Sequence, residues 1–89
     1  MAQVSIPPPY RGPTQGRGEI ETTGTTLREC LEDAGRQYPG LAEQIFDAAG
    51  KVHRFVNVFV NGDEIPRDQI DRKVADTDRI EILAAIAGG

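Results

Sequence analysis

At 89 residues, with ten basic and 14 acidic side chains, the chain is one domain at most and carries a net charge of −4. So short a chain buries only ~60% of its unfolded surface, which leaves a modest core. Hydrophobic residues at 38% and charged residues at 27% exclude collagen, a disordered polymer and a membrane-embedded chain. The acidic balance argues against nucleic acid as the main partner and for a basic patch on a protein. No apolar run reaches the ~18 residues of a membrane span, and no basic-then-apolar leader opens the chain, so a cytoplasmic location is expected. The single Cys30 rules out an internal disulfide or a cysteine-rich metal cluster and suits a reducing compartment.

In chain order, Ala2 to Ile6 alternates as a short strand, with Ala2, Val4 and Ile6 on one face. Pro7-Pro8-Pro9-Tyr10-Arg11-Gly12-Pro13 then forbids regular structure, and Gly16-Arg17-Gly18 stays loop-like. Glu19 to Thr22 forms a second strand carrying Ile20 inward. Thr26-Leu27-Arg28-Glu29 has the spacing of a capping box, and Leu27, Cys30, Leu31, Ala34 and Tyr38 follow on one helical face. Pro39-Gly40 is expected to end that helix, with Leu41, Ile45 and Phe46 in a further irregular turn. Phe55-Val56-Asn57-Val58-Phe59-Val60 is the strongest strand pattern, and Asn61-Gly62 turns it into a short return, Asp63-Glu64-Ile65. Ile70 and Val74 add apolar contacts from the next loop, and Asp76-Thr77-Asp78 turns the chain into a last strand with Ile80 and Ile82 inward.

That strand runs into Ala84-Ala85-Ile86-Ala87-Gly88-Gly89. Glycine has no Cβ, so such an end can pass through a narrow channel and bring a terminal carboxylate into another protein's active site. The reactive group is then the Gly89 carboxylate rather than a side chain.

The element order, with one main helix across a small mixed sheet and a di-glycine tail, resembles the β-grasp (ubiquitin-like) fold of ubiquitin and the bacterial sulfur carriers of the ThiS/MoaD family. Val58-Phe59-Val60-Asn61-Gly62-Asp63-Glu64-Ile65-Pro66-Arg67 is similar to the "VN-turn-V-P-R" segment of the thiamine sulfur carriers, and Asp76 to Ile82 with Ile86-Ala87-Gly88-Gly89 resembles their "DGD-I" turn and "A-G-G" end. Gly50-Lys51-Val52-His53-Arg54-Phe55-Val56-Asn57 is similar to a segment of the carriers that deliver sulfur for cysteine biosynthesis. The likeness runs from about Leu27 onward. Thr77 departs from the family's glycine, and Ala84-Ala85 from the prolines of the molybdopterin synthase small subunit. The fold class implied is α+β, one β-grasp domain over residues 1–89, with 7–18 as a Pro/Gly-rich loop and 84–89 as a flexible functional tail.

The resemblance implies a carrier that catalyses nothing itself. A ubiquitin-activating-type enzyme using ATP and Mg²⁺ adenylates Gly89, and sulfide or a persulfide then displaces AMP to leave a thiocarboxylate. Gly88, Ala87 and Ile86 thread into the partner, and the chain itself holds no cofactor or metal. The implied acceptor is a cysteine synthase, with a metalloprotease releasing the product; thiamine thiazole synthesis and then molybdopterin follow as alternatives. A different class, a modifier joined to target lysines through Gly89, stays open, as does a plain interaction module with an inert tail. The tail lacks the basic residues that precede the di-glycine of ubiquitin.

Strand alternation sets Phe59 and Leu83 outward, and in the resembled fold their strands are neighbours, so the two are expected to form an apolar docking patch near the tail root. His53 reads first as a packed or hydrogen-bonded residue, and its match to the cysteine-pathway carriers adds a partner contact by His53 and Arg54. Cys30 reads as a small buried residue, Asp76 and Asp78 as turn acceptors rather than cation ligands, and Arg67, Arg72, Lys73 and Arg79 as a solvated face. Pro7-Pro8-Pro9-Tyr10 reads as a loop breaker before a WW-type ligand.

Overall fold

The computed structural model describes residues 2–6, 16 and 18–84. Five strands and two helices form in the order β1 (Ala2–Ser5), β2 (Glu19–Thr22), α1 (Leu27–Gln37), α2 (Pro39–Ile45), β3 (Val56–Val60), β4 (Asp63–Ile65) and β5 (Arg79–Ala84), with a 3-10 turn at Arg67–Gln69. The loop expected around Pro7–Pro13 and the tail from Ala85 to Gly89 lie outside the described residues.

The sheet order is β2-β1-β5-β3-β4, so the last strand sits in the middle. There β5 pairs in parallel with β1 (Val4 opposite Ile80) and antiparallel with β3 (Val58 opposite Ile82). Strict alternation gives the sheet one apolar face. Val4, Ile20, Val56, Val58, Val60, Ile65, Ile80 and Ile82 are buried against Leu27, Cys30, Leu31, Ala34, Leu41 and Ile45 of the two helices. One polar residue joins that core: the Thr22 hydroxyl donates to the Ala2 carbonyl at 3.0 Å, so the buried group has a partner.

Helix α1 starts where the capping box predicts. Thr26 is the N-cap, its hydroxyl accepting from the Glu29 amide at 3.2 Å, while the Glu29 carboxylate accepts from the Thr26 amide at 3.2 Å and the Thr25 amide at 2.8 Å. The expectation for Pro39-Gly40 needs correction. The pair does end α1, but Pro39 also stands in the first turn of a regular seven-residue helix, where its missing N–H costs nothing. The irregular turn is therefore α2, packed closely on α1 at Gly35, where a Cβ would lie 2.7 Å from the Cβ of Ala42.

Two strand ends differ from the sequence pattern as well. Phe55 lies in the turn before β3 and is 47% exposed, and β5 continues one residue past Leu83 to Ala84, paired with Val56. Between β3 and β4, Asn61 and Gly62 both take positive φ (53° and 89°), as a tight two-residue hairpin demands.

Candidate functional site

The antiparallel β3–β5 ladder fixes the candidate surface. Asn57 stands opposite Leu83, and Phe59 opposite Glu81, all on the face turned away from the helices. Phe59 and Leu83 are thus diagonal neighbours, whose separation of about 7–8 Å is within reach of an aromatic ring. Leu83 is 44% exposed and Phe59 is half-buried, so the apolar area centres on Leu83 more than on the ring. Across the same row, Phe59 is flanked by Glu81 on β5 and Glu64 on β4. Those carboxylates put negative charge beside the apolar pair, a neighbourhood that sequence reading overlooked because it depends on the register of three strands.

Beside this surface, the segment carrying His53 and Arg54 is a braced turn. The His53 amide donates to the Ile45 carbonyl at 2.8 Å, and the Val56 amide donates back to the His53 carbonyl at 3.0 Å. Arg67 clamps both shoulders, its guanidinium donating to the carbonyls of Val52 (2.7 Å) and Val56 (3.4 Å). Arg67 is therefore more than part of a solvated face. Because β3 and β5 are antiparallel, the turn meets the far end of β5: Val56 pairs with Ala84, the last described residue. The geometry thus brings His53, Arg54 and the exposed Phe55 to the root of the tail, next to Leu83. Sequence reading named the first two and took Phe55 for strand. The tail positions themselves, Ile86, Ala87, Gly88 and Gly89, lie outside the described residues.

Three further titratable groups, Asp78, Asp47 and Cys30, play structural parts. Asp78 accepts from the Ala75 amide at 2.8 Å and the Asn61 side-chain amide at 3.0 Å, and these hydrogen bonds hold its carboxyl below the usual range. The Lys51 amide, and with it that of Ala49, does the same for Asp47. Burial pushes the Cys30 thiol up, which leaves it a poor nucleophile. Among the described residues no group of three or more His, Cys, Asp or Glu side chains could hold a metal ion. No helix among them is long and apolar enough to cross a membrane.

Comparison with known proteins agrees with this architecture. The ThiS family profile matches residues 10–89, reaching further towards the N-terminus than the resemblance from Leu27. The sulfur carrier protein CysO of Mycobacterium tuberculosis is 37% identical over 89 residues, spanning 97% of this chain and 96% of that protein. In the crystal structure of the Amycolatopsis orientalis BexX/CysO complex, a chain 34% identical superposes with a TM-score of 0.87 and full coverage of both chains. The small archaeal modifier protein 1 of Methanosarcina acetivorans shares the fold, with a TM-score of 0.86 at 23% identity over 99% of this chain and 95% of its own. By the family match over most of its length, together with its β-grasp sheet, the chain belongs to the ThiS family.

Proposed function

We propose that this protein is a sulfur carrier that serves cysteine biosynthesis and bears its sulfur as a thiocarboxylate on Gly89. One observation carries the reading: the 37% identity to sulfur carrier protein CysO extends over 97% of this chain and 96% of that relative. The placement of Leu83, Phe59 and the His53–Phe55 turn at the root of the strand that leads to Gly88-Gly89 supports it.

A carboxylate is a poor acyl donor because its leaving group would be oxide. A carboxylate oxygen of Gly89 attacks the α-phosphorus of ATP on the activating enzyme, with Mg²⁺ on the phosphates, and pyrophosphate leaves. Sulfide then attacks the acyl carbon of the adenylate and AMP departs, giving the thiocarboxylate. On a cysteine synthase, the thiocarboxylate sulfur displaces the leaving group of an activated serine derivative. The serine amine captures the acyl carbon from sulfur, and a metalloprotease hydrolyses the resulting amide to release cysteine.

In this scheme the chain is a co-substrate, and its work is recognition. The apolar Leu83–Phe59 pair offers a docking anchor, and Glu81 and Glu64 beside it favour a partner surface rich in Lys or Arg.

The test is the intact mass of the protein after incubation with the activating enzyme, ATP and sulfide. Exchange of one oxygen for one sulfur, absent when Gly89 is deleted, is expected. An unchanged mass with an active partner, or lysine-linked conjugates in place of the exchange, would refute the proposal.

A further inference from the structure

A second cleft shares no lining residue with the Leu83–Phe59 patch. Arg28, Lys51, Val52, Arg67, Asp68 and Ile70 line a cleft of about 390 Å³, within the usual size range of small-molecule sites. Three cations meet there from three separate segments: the first turn of α1, the loop after α2 and the 3-10 turn. On a chain of net charge −4, that convergence opposes the overall balance.

The two guanidiniums are held in place without being used up. Arg28 donates through Nε to the Asp71 carboxylate at 2.6 Å, which leaves both of its Nη groups for another acceptor. Arg67 spends one N–H of Nη1 on the Val52 carbonyl and one of Nη2 on that of Val56, and keeps three of its five donors. The Lys51 ammonium forms no ion pair among the described residues. Of the nearby acids, Asp68 lies in the lining, Asp71 is taken by Arg28, Glu32 acts on the Arg28 charge from outside the lining, and Asp47 is committed to the amides of Ala49 and Lys51. Val52 and Ile70 supply an apolar side to the same cleft.

Fixed guanidiniums with spare donors around an apolar wall suit a tetrahedral oxyanion attached to a short organic group. We propose that this cleft binds small molecules bearing a phosphate group. Guanidinium N–H groups of Arg28 and Arg67 contact the oxygens, Lys51 closes the site as a mobile point charge, and Val52 and Ile70 contact the organic part.

The experiment is an amide NMR titration of the full chain with inorganic phosphate and with ethyl phosphate, ionic strength held constant by chloride. Saturable shifts clustered at Arg28, Lys51, Val52, Arg67 and Ile70 are expected. Lys51→Met should weaken binding about tenfold, the loss of one exposed charge-assisted hydrogen bond, while Lys73→Met outside the cleft leaves it unchanged. Tighter binding of ethyl phosphate assigns the ligand to a phosphate ester, and equal binding to the free ion. Shifts spread evenly over Arg36, Lys73 and Arg79, or a Lys51→Met titration identical to wild type, would overturn the assignment. Neither result bears on the Gly89 chemistry, which is read by mass.

Discussion

Gly35 sits where two effects of known size oppose each other. In the last turn of α1 (Leu27–Gln37) a glycine costs up to about 1 kcal/mol relative to alanine, so Gly35→Ala should stabilise if helix propensity alone decided. A Cβ there would lie 2.7 Å from the Cβ of Ala42 and 3.2 Å from its Cα. Carbon contacts are comfortable at about 3.5–4.0 Å, so the new atom is close to 1 Å too near a group fixed to helix backbone. Ala42 cannot swing away; α1 and α2 must separate. Overpacking of this kind costs about 1–3 kcal/mol, which outweighs the propensity gain and leaves Gly35→Ala about 1 kcal/mol less stable. In a domain of this size that lowers Tm by about 4–8 °C.

The compensating change makes the argument specific. Ala42→Gly alone should cost about 1 kcal/mol of propensity. In Gly35→Ala/Ala42→Gly the propensity terms cancel and one Cβ again fills the gap between the helices. The double variant should then unfold within about 0.5 kcal/mol of wild type, against a sum of single effects near 2 kcal/mol. Urea titrations followed by circular dichroism read all four proteins. A Gly35→Ala protein more stable than wild type, or additive single and double effects, would refute the close-packing account.

Leu83→Ser should raise the KM of the activating enzyme for the carrier by about tenfold or more, as loss of a docking anchor would, while leaving the melting curve unchanged because Leu83 is exposed. Native Cys30 should resist a thiol reagent and become labelled only on unfolding, and Cys30→Ala should load sulfur at the wild-type rate; rapid labelling in the native state would contradict its burial. Glu29, Asp33, Asp47 and Asp78 all have carboxyl pKa values lowered in the fold, chiefly by hydrogen bonds from backbone amides. Lowered folded values mean that the unfolded chain binds protons first, so their stabilisation is present above about pH 4 and is lost as pH falls through the folded values. Thermal melts between pH 7 and pH 2.5 should show that loss, and Glu29→Gln should make it shallower; a profile flat to acid would count against these hydrogen bonds.

What could be read from sequence was local or periodic. The Thr26–Glu29 box acts over four residues, and strand parity alone turned Val58, Val60, Ile80 and Ile82 inward and Leu83 outward. Pro39-Gly40 misled because one pair can both stop a helix and open the next, and the second helix is secured by a tertiary contact at Gly35 that no local pattern records. Phe55 continues the apolar run of β3, yet hydrogen bonds from His53 to Ile45 and from Arg67 to Val52 and Val56 hold its neighbourhood as a turn. Those partners are eight to 15 residues apart in the chain. The parallel pairing of β1 with β5 joins opposite ends of the sequence, so only likeness to a known fold could anticipate it.

The placement of β5 bears directly on how a partner can use the tail. The strand pairs with β3 from Ile80 to Ala84 and with β1 from Arg79 to Glu81, and Ile80 and Ile82 are at most 1% exposed. A pull on residues beyond Ala84 loads the β3 ladder first, at Val56, and reaches the β1 ladder only at Glu81. Double pairing closes β5 to strand addition from Arg79 to Glu81, where β1 covers the edge opposite β3. The free edges belong to β2 and β4, and on β2 the Gln37 side-chain amide already donates to the Glu21 carbonyl at 2.7 Å. The side chains at the tail root are few: Leu83 and Phe59, the carboxylates beside the ring, and the turn that exposes Arg54 and Phe55. Under the proposed carrier function, discrimination among partners is expected to rest on that handful of positions.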